Sequence, residues 1–343
     1  MSIYTMPITP VSSRYTYDWY QYLKNNQSVT GWHFIDLELK ETKQGKNQFL
    51  PLDQYLKDVA YCEQSVKNLP KSDFDMFLHF DGLGRNYDTI DRFYEIEGFN
   101  SPTHLTLLHS GLWDVDDFLT KEPKPRNSAL AQVHNLSRHN VIYILASDYH
   151  KDMILNYVRI NMNKDMEEAL NKRIKVIPFP VDVTSNYAGT LERNEYNIGF
   201  ASRFCEEKGY FIINDMDKSG KLKPHNVSYA LDNNLQTRQE YFSWLKKQDI
   251  IVLPNKQETY GMVFLEALML AKVVIISQKD KPYKLYRELI SKYENSYLGR
   301  VIEISDWRQL PDVLNNIGSK VNWANFIQEV KKLKEDLTCM KPF

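Results

Sequence analysis

Short apolar runs alternate with longer amphipathic stretches along the first half of the chain. Helical spacing of apolar residues marks Thr16–Lys24 and Leu52–Leu69. Runs of strand length are Ile3–Ile8, Trp32–Leu39, Asp75–Phe80, Leu105–His109, Val141–Ala146 and Lys175–Phe179. Compact apolar runs separated by helical patterns are typical of a parallel sheet with helices on its faces. The first half is therefore predicted to be an α/β domain.

The same pattern restarts after a polar break at Thr184–Asn197. The predicted strands are Asn197–Ala201, Asn226–Leu231, Ile250–Leu253 and Val273–Ser277, and the predicted helices are Lys208–Asp215, Arg238–Lys247 and Gly261–Leu270. We predict two Rossmann-like, doubly wound α/β domains facing a cleft. Residues 1–182 form the N-terminal domain, 183–322 form the C-terminal domain, and a helix in 323–343 packs back on the first. Ligands of such sheets bind beyond the carboxyl ends of the strands.

Composition narrows the function classes. The 343 residues carry a net charge of −1, which gives no global attraction to nucleic acid or anionic membranes but leaves a local basic groove open. The three cysteines are far apart and lack zinc-site spacing, which is typical of a reducing compartment. No signal peptide and no apolar run of bilayer-spanning length is visible. We expect a cytoplasmic monomer.

Two glutamates in QETYGMVFLEALMLA point to a ligand site. Glu258 follows a predicted strand, and Glu266 lies inside an apolar helix, where a carboxylate is costly unless it accepts strong hydrogen bonds such as those of ribose hydroxyls. Gly261 permits close approach of a diphosphate to the helix N-terminus. Taken alone, the pair is equally typical of a surface glutamate at a helix start followed by a partly exposed one.

Two cations strengthen the site hypothesis. The stretch GFASRFCEEKGY places Arg203 at a strand end and Lys208 five residues later. Such cations can clamp a diphosphate and stabilise the charge that develops on a leaving phosphate. Two basic residues in a loop are usually solvated charge, but combined with the acidic pair they indicate a nucleotide-sugar site.

These motifs resemble those of retaining GT-B glycosyltransferases of the glycogen-synthase-like type. SRFCEEKG is similar to the family's "GR…KG" segment, and Glu258 and Glu266 match its E-x7-E motif. The resemblance implies that Arg203 and Lys208 bind phosphate, that Glu258 contacts the donor sugar, and that Glu266 binds the ribose. TYGMVF replaces the family's "PFGLV" segment, which implies donor contacts from Tyr260, Gly261, Met262 and Val263.

The resemblance covers about Leu105 to Ser277 and includes the linker-like RIKVIPFPVDV. It implies that His109 lies near the donor sugar, although His109 is also compatible with a buried core position. The chain departs from the family in having Ser202 before the arginine, Pro180 in the linker, and TPVSSRY in place of a glycine-rich loop. Candidates for the acceptor side are Ser12, Ser13, Arg14 and Gly82.

The implied reaction is sugar transfer with retention from a nucleotide-diphosphate sugar, with a UDP-sugar favoured, to an acceptor hydroxyl. No metal or other cofactor is expected. DVDD at 114–117 resembles the metal-binding DxD of the other glycosyltransferase fold, and we interpret it as a helix cap and surface charge.

Several alternatives stay open from sequence. Length and composition resemble phage enzymes that glycosylate hydroxymethylated pyrimidines in DNA, which makes double-stranded DNA one candidate acceptor. For a phage-encoded protein the expected compartment is the host cytoplasm. The basic residues that could contact it are Arg14, Lys24, Lys121, Lys124 and Arg126. A soluble or envelope glycan is another candidate acceptor, and a non-catalytic nucleotide-sugar-binding protein is a different function class. An oxidoreductase is disfavoured because no full GxGxxG follows a strand.

Overall fold

The computed structural model divides the chain into two compact units, Met1–Phe179 and Pro180–Phe343. It describes residues 2–5, 23–24, 32–34, 63–79, 87–108, 111, 113–114, 134–177, 195–233, 235, 237–270, 273–292 and 300–317. The helix predicted in 323–343 lies outside these residues.

A six-stranded parallel sheet forms the centre of the first unit, in the order β2-β1-β3-β4-β5-β6. The strands are β1 (Ile3–Thr5), β2 (Trp32–Phe34), β3 (Met76–His79), β4 (Thr103–Leu107), β5 (Val141–Leu145) and β6 (Ile174–Val176). Helices with both ends among the described residues are α1 (Tyr87–Ile96), α2 (Asp148–Asn161) and α3 (Lys164–Arg173). The side chains of Ser147 and Asn163 accept first-turn N–H groups and so start α2 and α3.

A five-stranded parallel sheet forms the centre of the second unit, in the order β11-β10-β9-β7-β8. The strands are β7 (Asn197–Phe200), β8 (Asn226–Tyr229), β9 (Ile250–Val252), β10 (Val273–Ser277) and β11 (Val301–Ile304). The helices are α4 (Tyr210–Lys218), α5 (Arg238–Lys246), α6 (Met262–Leu270), α7 (Tyr283–Lys292) and α8 (Leu310–Asn315). Every residue of β9 and β10 is buried, as expected for central strands covered on both faces.

The order of this second sheet reverses at β7. Strand β7 pairs with β8 on one side and with β9 on the other, so the loops that follow β7 and β9 leave the sheet side by side. Ligands of open α/β sheets bind at such a reversal, beyond the carboxyl ends of the strands. In the first sheet, β1 holds the equivalent position between β2 and β3. The predicted α/β class with two parallel sheets is confirmed.

Several predicted element bounds were wrong. The strand expected at Leu105–His109 runs over Thr103–Leu107. The helix expected at Lys208–Asp215 is two elements, a 3₁₀ turn at Glu206–Lys208 and then α4, because Gly209 between them has a left-handed φ of 68°. The helices α1, α3, α7 and α8 and the strand β11 were not predicted.

Candidate functional site

The loops after β7 and β9 pack backbone against backbone. A Cβ atom added to Gly209 would lie 2.0 Å from the carbonyl oxygen of Pro254, so only glycine fits this contact. The carbonyl of Glu207 accepts hydrogen bonds from the N–H groups of Lys256, at 2.8 Å, and Gln257, at 3.2 Å. These contacts fix the two loops relative to each other.

Lys208 and Glu258 meet where the two loops join. The Lys208 Nζ donates to the main-chain carbonyl of Gln257 at 2.7 Å, to its side-chain oxygen at 3.2 Å, and to Glu258 Oε2 at 3.3 Å. The Lys208 side chain is 12% exposed and that of Glu258 is 16% exposed. The structure therefore brings one predicted cation and one predicted carboxylate together at the reversal of the sheet.

Glu258 also binds the backbone that leads into α6. Its Oε1 accepts from the N–H groups of Thr259, at 3.1 Å, Tyr260, at 3.4 Å, and Gly261, at 3.4 Å. Burial alone would raise the pKa of this carboxyl group, but Lys208 and the N–H donors outweigh it and lower the pKa below the usual value. Glu258 is therefore a carboxylate at neutral pH, an acceptor of hydrogen bonds rather than an acid.

The N-terminus of α6 retains unused donors. Gly261 enters the helix with a left-handed φ of 66°. First-turn N–H groups have no partner within a helix, and no described residue accepts from those of Met262 or Val263. Together with Lys208, these two N–H groups can receive an anion such as a diphosphate.

Arg203 is tied to a residue that the sequence reasoning missed. Its Nη2 lies 2.6 Å from Glu207 Oε1. The Arg203 side chain is 35% exposed, whereas that of Glu207 is 7% exposed. Glu207 therefore orients Arg203 with its carboxylate while its carbonyl holds the neighbouring loop. The four-residue spacing between the two was the available signal.

Glu266 lies in α6 with 2% of its surface exposed, among apolar side chains that are equally buried. The Glu266 carboxylate is therefore nearly inaccessible inside an apolar helix, which agrees with the burial expected from the sequence. Its contact with a ribose stays a prediction.

The remaining predicted site residues lie outside the described residues, and their roles stay predictions: His109 near the donor, and Ser12, Ser13, Arg14 and Gly82 on the acceptor side. In chain order, the residues from Ser12 to Arg14 come after β1, and Gly82 comes after β3, the strand that pairs with β1.

The interpretation of Asp114 as surface charge was wrong. Asp114 is 1% exposed and follows Trp113, which is buried and donates its indole N–H to His150 at 3.0 Å. Within the described part of the chain, no group of three or more His, Cys, Asp or Glu side chains is placed to hold a metal ion. In the same part, no helix is long and apolar enough to cross a membrane.

Comparisons with known proteins agree with this architecture. No protein-family model matches the chain. An uncharacterized glycosyltransferase from Methanocaldococcus jannaschii is 24% identical over 206 residues, which is 52% of this chain and 58% of that protein. The match thus spans somewhat more than half the length of that relative.

Solved structures match nearly the whole chain at low identity. Sucrose-phosphate synthase from Thermosynechococcus elongatus has a TM-score of 0.60 at 13% identity, over 99% of this chain and 95% of that one. The catalytic domain of starch synthase IV from Arabidopsis thaliana has a TM-score of 0.55 at 11% identity, over 98% and 97%. An α,α-trehalose-phosphate synthase from Burkholderia vietnamiensis has a TM-score of 0.54 at 10% identity, over 98% and 96%. The chain therefore has the two-sheet α/β fold of the GT-B glycosyltransferase structures.

Proposed function

We propose that the protein is a retaining glycosyltransferase that moves a sugar from a nucleotide-diphosphate sugar, with a UDP-sugar favoured, to an acceptor hydroxyl. The observation that carries the proposal is the meeting of Lys208 and ionised Glu258 beside the unused N–H groups of α6, at the reversal of the sheet. The GT-B fold supports the glycosyltransferase class. The Methanocaldococcus jannaschii protein that matches part of this chain is named as a glycosyltransferase and supports the same class. Among the similar structures, the trehalose-phosphate synthase is named as UDP-forming and the starch synthase is bound to ADP. Both names support a nucleoside diphosphate as the leaving group.

The chemistry follows from where the charges lie. The bond between the anomeric carbon and the diphosphate oxygen breaks, the acceptor oxygen bonds to the same face of that carbon, and the proton of the acceptor hydroxyl passes to the departing diphosphate oxygen. The transition state is oxocarbenium-like, and negative charge grows on the departing diphosphate. Lys208, Arg203 and the N–H groups of Met262 and Val263 stabilise that charge. In this proposal these side chains and N–H groups stabilise the charge on the leaving group that a metal ion stabilises in other transferases, so no metal is required.

Glu258 and Glu266 have separate roles in this proposal. Glu258 is ionised and lies at the loop junction, so it accepts hydrogen bonds from hydroxyls of the donor sugar. Glu266 lies further along α6 and is nearly completely buried, so it is suited to a single, well-aligned ribose hydroxyl.

For the acceptor, both classes inferred from sequence are retained: a hydroxymethylated pyrimidine in phage DNA, and a soluble or envelope glycan. Salt titration separates them. Binding to double-stranded DNA weakens steeply between about 50 and 200 mM salt when several phosphates are contacted. Binding to an uncharged glycan does not.

The test is donor turnover without acceptor. Purified protein is incubated with UDP-glucose, GDP-mannose or ADP-glucose, and release of the nucleoside diphosphate is measured for wild type, Lys208→Ala and Lys218→Ala. Lys218 is an exposed lysine at the end of α4 and serves as the matched control. We expect slow release from one donor, lowered about 100-fold or more in Lys208→Ala and unchanged in Lys218→Ala. Binding of a donor without release in wild type would identify a non-catalytic binder and contradict the proposal.

Retention is tested on the sugar itself. When an acceptor alcohol is supplied, proton NMR of the product reports the anomeric configuration. We expect the configuration of the donor, and the opposite configuration would refute a retaining mechanism.

A further inference from the structure

Asn255 lies between β9 and Glu258 and connects the site to a helix that the sequence motifs do not include. It is 1% exposed. Its Nδ2 donates to Glu258 Oε2 at 3.4 Å and to the hydroxyl of Tyr286 in α7 at 3.1 Å. The reverse amide orientation would set Oδ1 against the carboxylate, so these contacts fix the orientation of the amide.

This arrangement leaves the side-chain carbonyl of Asn255 unsatisfied. Both hydrogens of the Asn255 amide are used, and its Oδ1 has no hydrogen-bond partner although it is fully buried. A buried acceptor without a partner is destabilising, and native proteins contain few. A side chain that only filled space at this position would avoid that cost. The two donated hydrogen bonds are therefore the property that distinguishes asparagine here.

Tyr286 gives the amide a rigid anchor. It is 1% exposed, and its ring stacks on Phe264 of α6, with centroids 5.0 Å apart and an interplanar angle of 29°. Asn255 thus joins the end of β9 to α6 and α7. The hydroxyl that orients the amide cannot move without repacking two helices.

Two groups, Lys208 Nζ and Asn255 Nδ2, donate hydrogen bonds to the same oxygen of Glu258, Oε2. A bound diphosphate would draw the first away and leave the second in place. Lys208 Nζ lies 3.3 Å from Oε2 but makes its shorter contact, 2.7 Å, with the carbonyl of Gln257. An incoming diphosphate attracts the ammonium group, which is mobile on its long side chain. The Asn255 amide is neutral and anchored, so it stays. We propose that Asn255, held by Tyr286, is a positioning residue that keeps Glu258 Oε2 in place for the donor sugar when Lys208 turns to the diphosphate.

This proposal rests on the proposed function, and its test uses variants that differ by single atoms or groups. Asn255→Asp keeps the shape but replaces the donor with a carboxylate next to Glu258. Tyr286→Phe removes only the anchoring hydroxyl. Tyr283→Phe is the matched control, because its hydroxyl lies in the same helix and bonds Glu303 at 2.5 Å, outside the loop junction.

Turnover as a function of pH is the first readout. Two carboxylates in contact cannot both ionise freely, so in Asn255→Asp we expect the acidic limb of the profile to move up by about one pH unit or more. Turnover at pH 7 should fall about 10-fold or more with the KM for the donor less affected. Tyr286→Phe should change turnover in the same direction by a smaller factor, and Tyr283→Phe should match wild type. A folded Asn255→Asp protein with the wild-type profile would overturn the proposal.

A second readout is independent of turnover. Carbon-13 NMR of labelled glutamate follows the titration of the Glu258 carboxyl group in the full-length protein, assigned with Glu258→Gln. An upward move of that titration in Asn255→Asp by about one unit or more supports the contact even if no donor is turned over, in which case only the proposed function fails. An unmoved titration overturns the positioning role itself.

Discussion

Replacing Gly209 with alanine should disrupt the contact that joins the two loops. Gly209 has a φ of 68°, which costs a non-glycine residue about 1–2 kcal/mol. The added Cβ would also lie 2.0 Å from the carbonyl oxygen and 2.7 Å from the Cβ of Pro254. The nearest of these atoms belongs to the backbone, so no rotamer change relieves the clash, and overpacking of this kind costs about 1–3 kcal/mol. The expected loss of unfolding free energy is about 2–5 kcal/mol.

Gly220→Ala is the matched control. Gly220 lies in the same unit, has a φ of 73°, and has nothing within 4 Å of an added Cβ. It should therefore show the backbone cost alone, about 1–2 kcal/mol. The difference between the two variants isolates the contact with Pro254.

The assay is urea unfolding of the full-length variants, followed by titration of the nucleoside diphosphate that wild type binds. Gly209→Ala should be less stable than Gly220→Ala by about 1–3 kcal/mol. It should also bind the nucleotide more weakly, because the displaced loop carries Glu258 away from Lys208. Equal stability and equal affinity of the two variants would refute this packing of the two loops.

Four further outcomes are expected. Arg203→Ala, like Lys208→Ala, should lower turnover by about 100-fold, as loss of a charge-stabilising donor does, and unchanged turnover would remove the phosphate assignment. Glu266→Ala should weaken nucleotide binding, measured by calorimetry, with the fold retained; unfolding of the second unit would make the carboxylate structural. Activity should survive EDTA, and strong inhibition would implicate a metal. Burial raises the pKa of Asp280, which accepts the Trp307 indole N–H at 2.8 Å, from 3.8 to about 6. Because the folded state binds this proton more tightly, stability from Asp280 is full below about pH 4 and is lost as pH rises through about 6. Asp280→Asn should flatten that part of the curve of melting temperature against pH, and an unchanged curve would contradict the shift.

The elements of the fold that could be predicted are those marked by a continuous pattern of residues along the sequence. Val273–Ser277 is an unbroken apolar run in a fully buried strand, so its bounds were predicted correctly. Strand β11 was missed because VIEI has the alternating burial of an edge strand and includes Glu303. The two elements around Gly209 were merged because its left-handed turn is imposed by contact with Pro254, 45 residues away in sequence.

In the candidate site, too, some residues are marked by local sequence motifs, whereas the contacts between them are set by the fold. Motif spacing identified Lys208 and Glu258, but their meeting depends on strand order, which places the loops after β7 and β9 together. Glu207 and Asn255 were missed because their roles depend on long-range contacts: the Glu207 carbonyl accepts from the loop after β9, and the Asn255 amide donates to Tyr286 in α7. The burial of Asp114 was missed because DVDD has the local pattern of exposed charge.

The most direct test of a diphosphate site at Lys208 is a titration of UDP, GDP and ADP against wild type and Lys208→Ala, followed by thermal unfolding. A ligand at about 100 times its Kd stabilises the folded state by about 2.7 kcal/mol. We predict that one nucleotide raises the melting temperature of wild type and that Lys208→Ala, compared with its own unliganded melting temperature, loses this shift. No shift with any nucleotide, or an equal shift in the variant, would contradict a diphosphate site at the junction of these two loops.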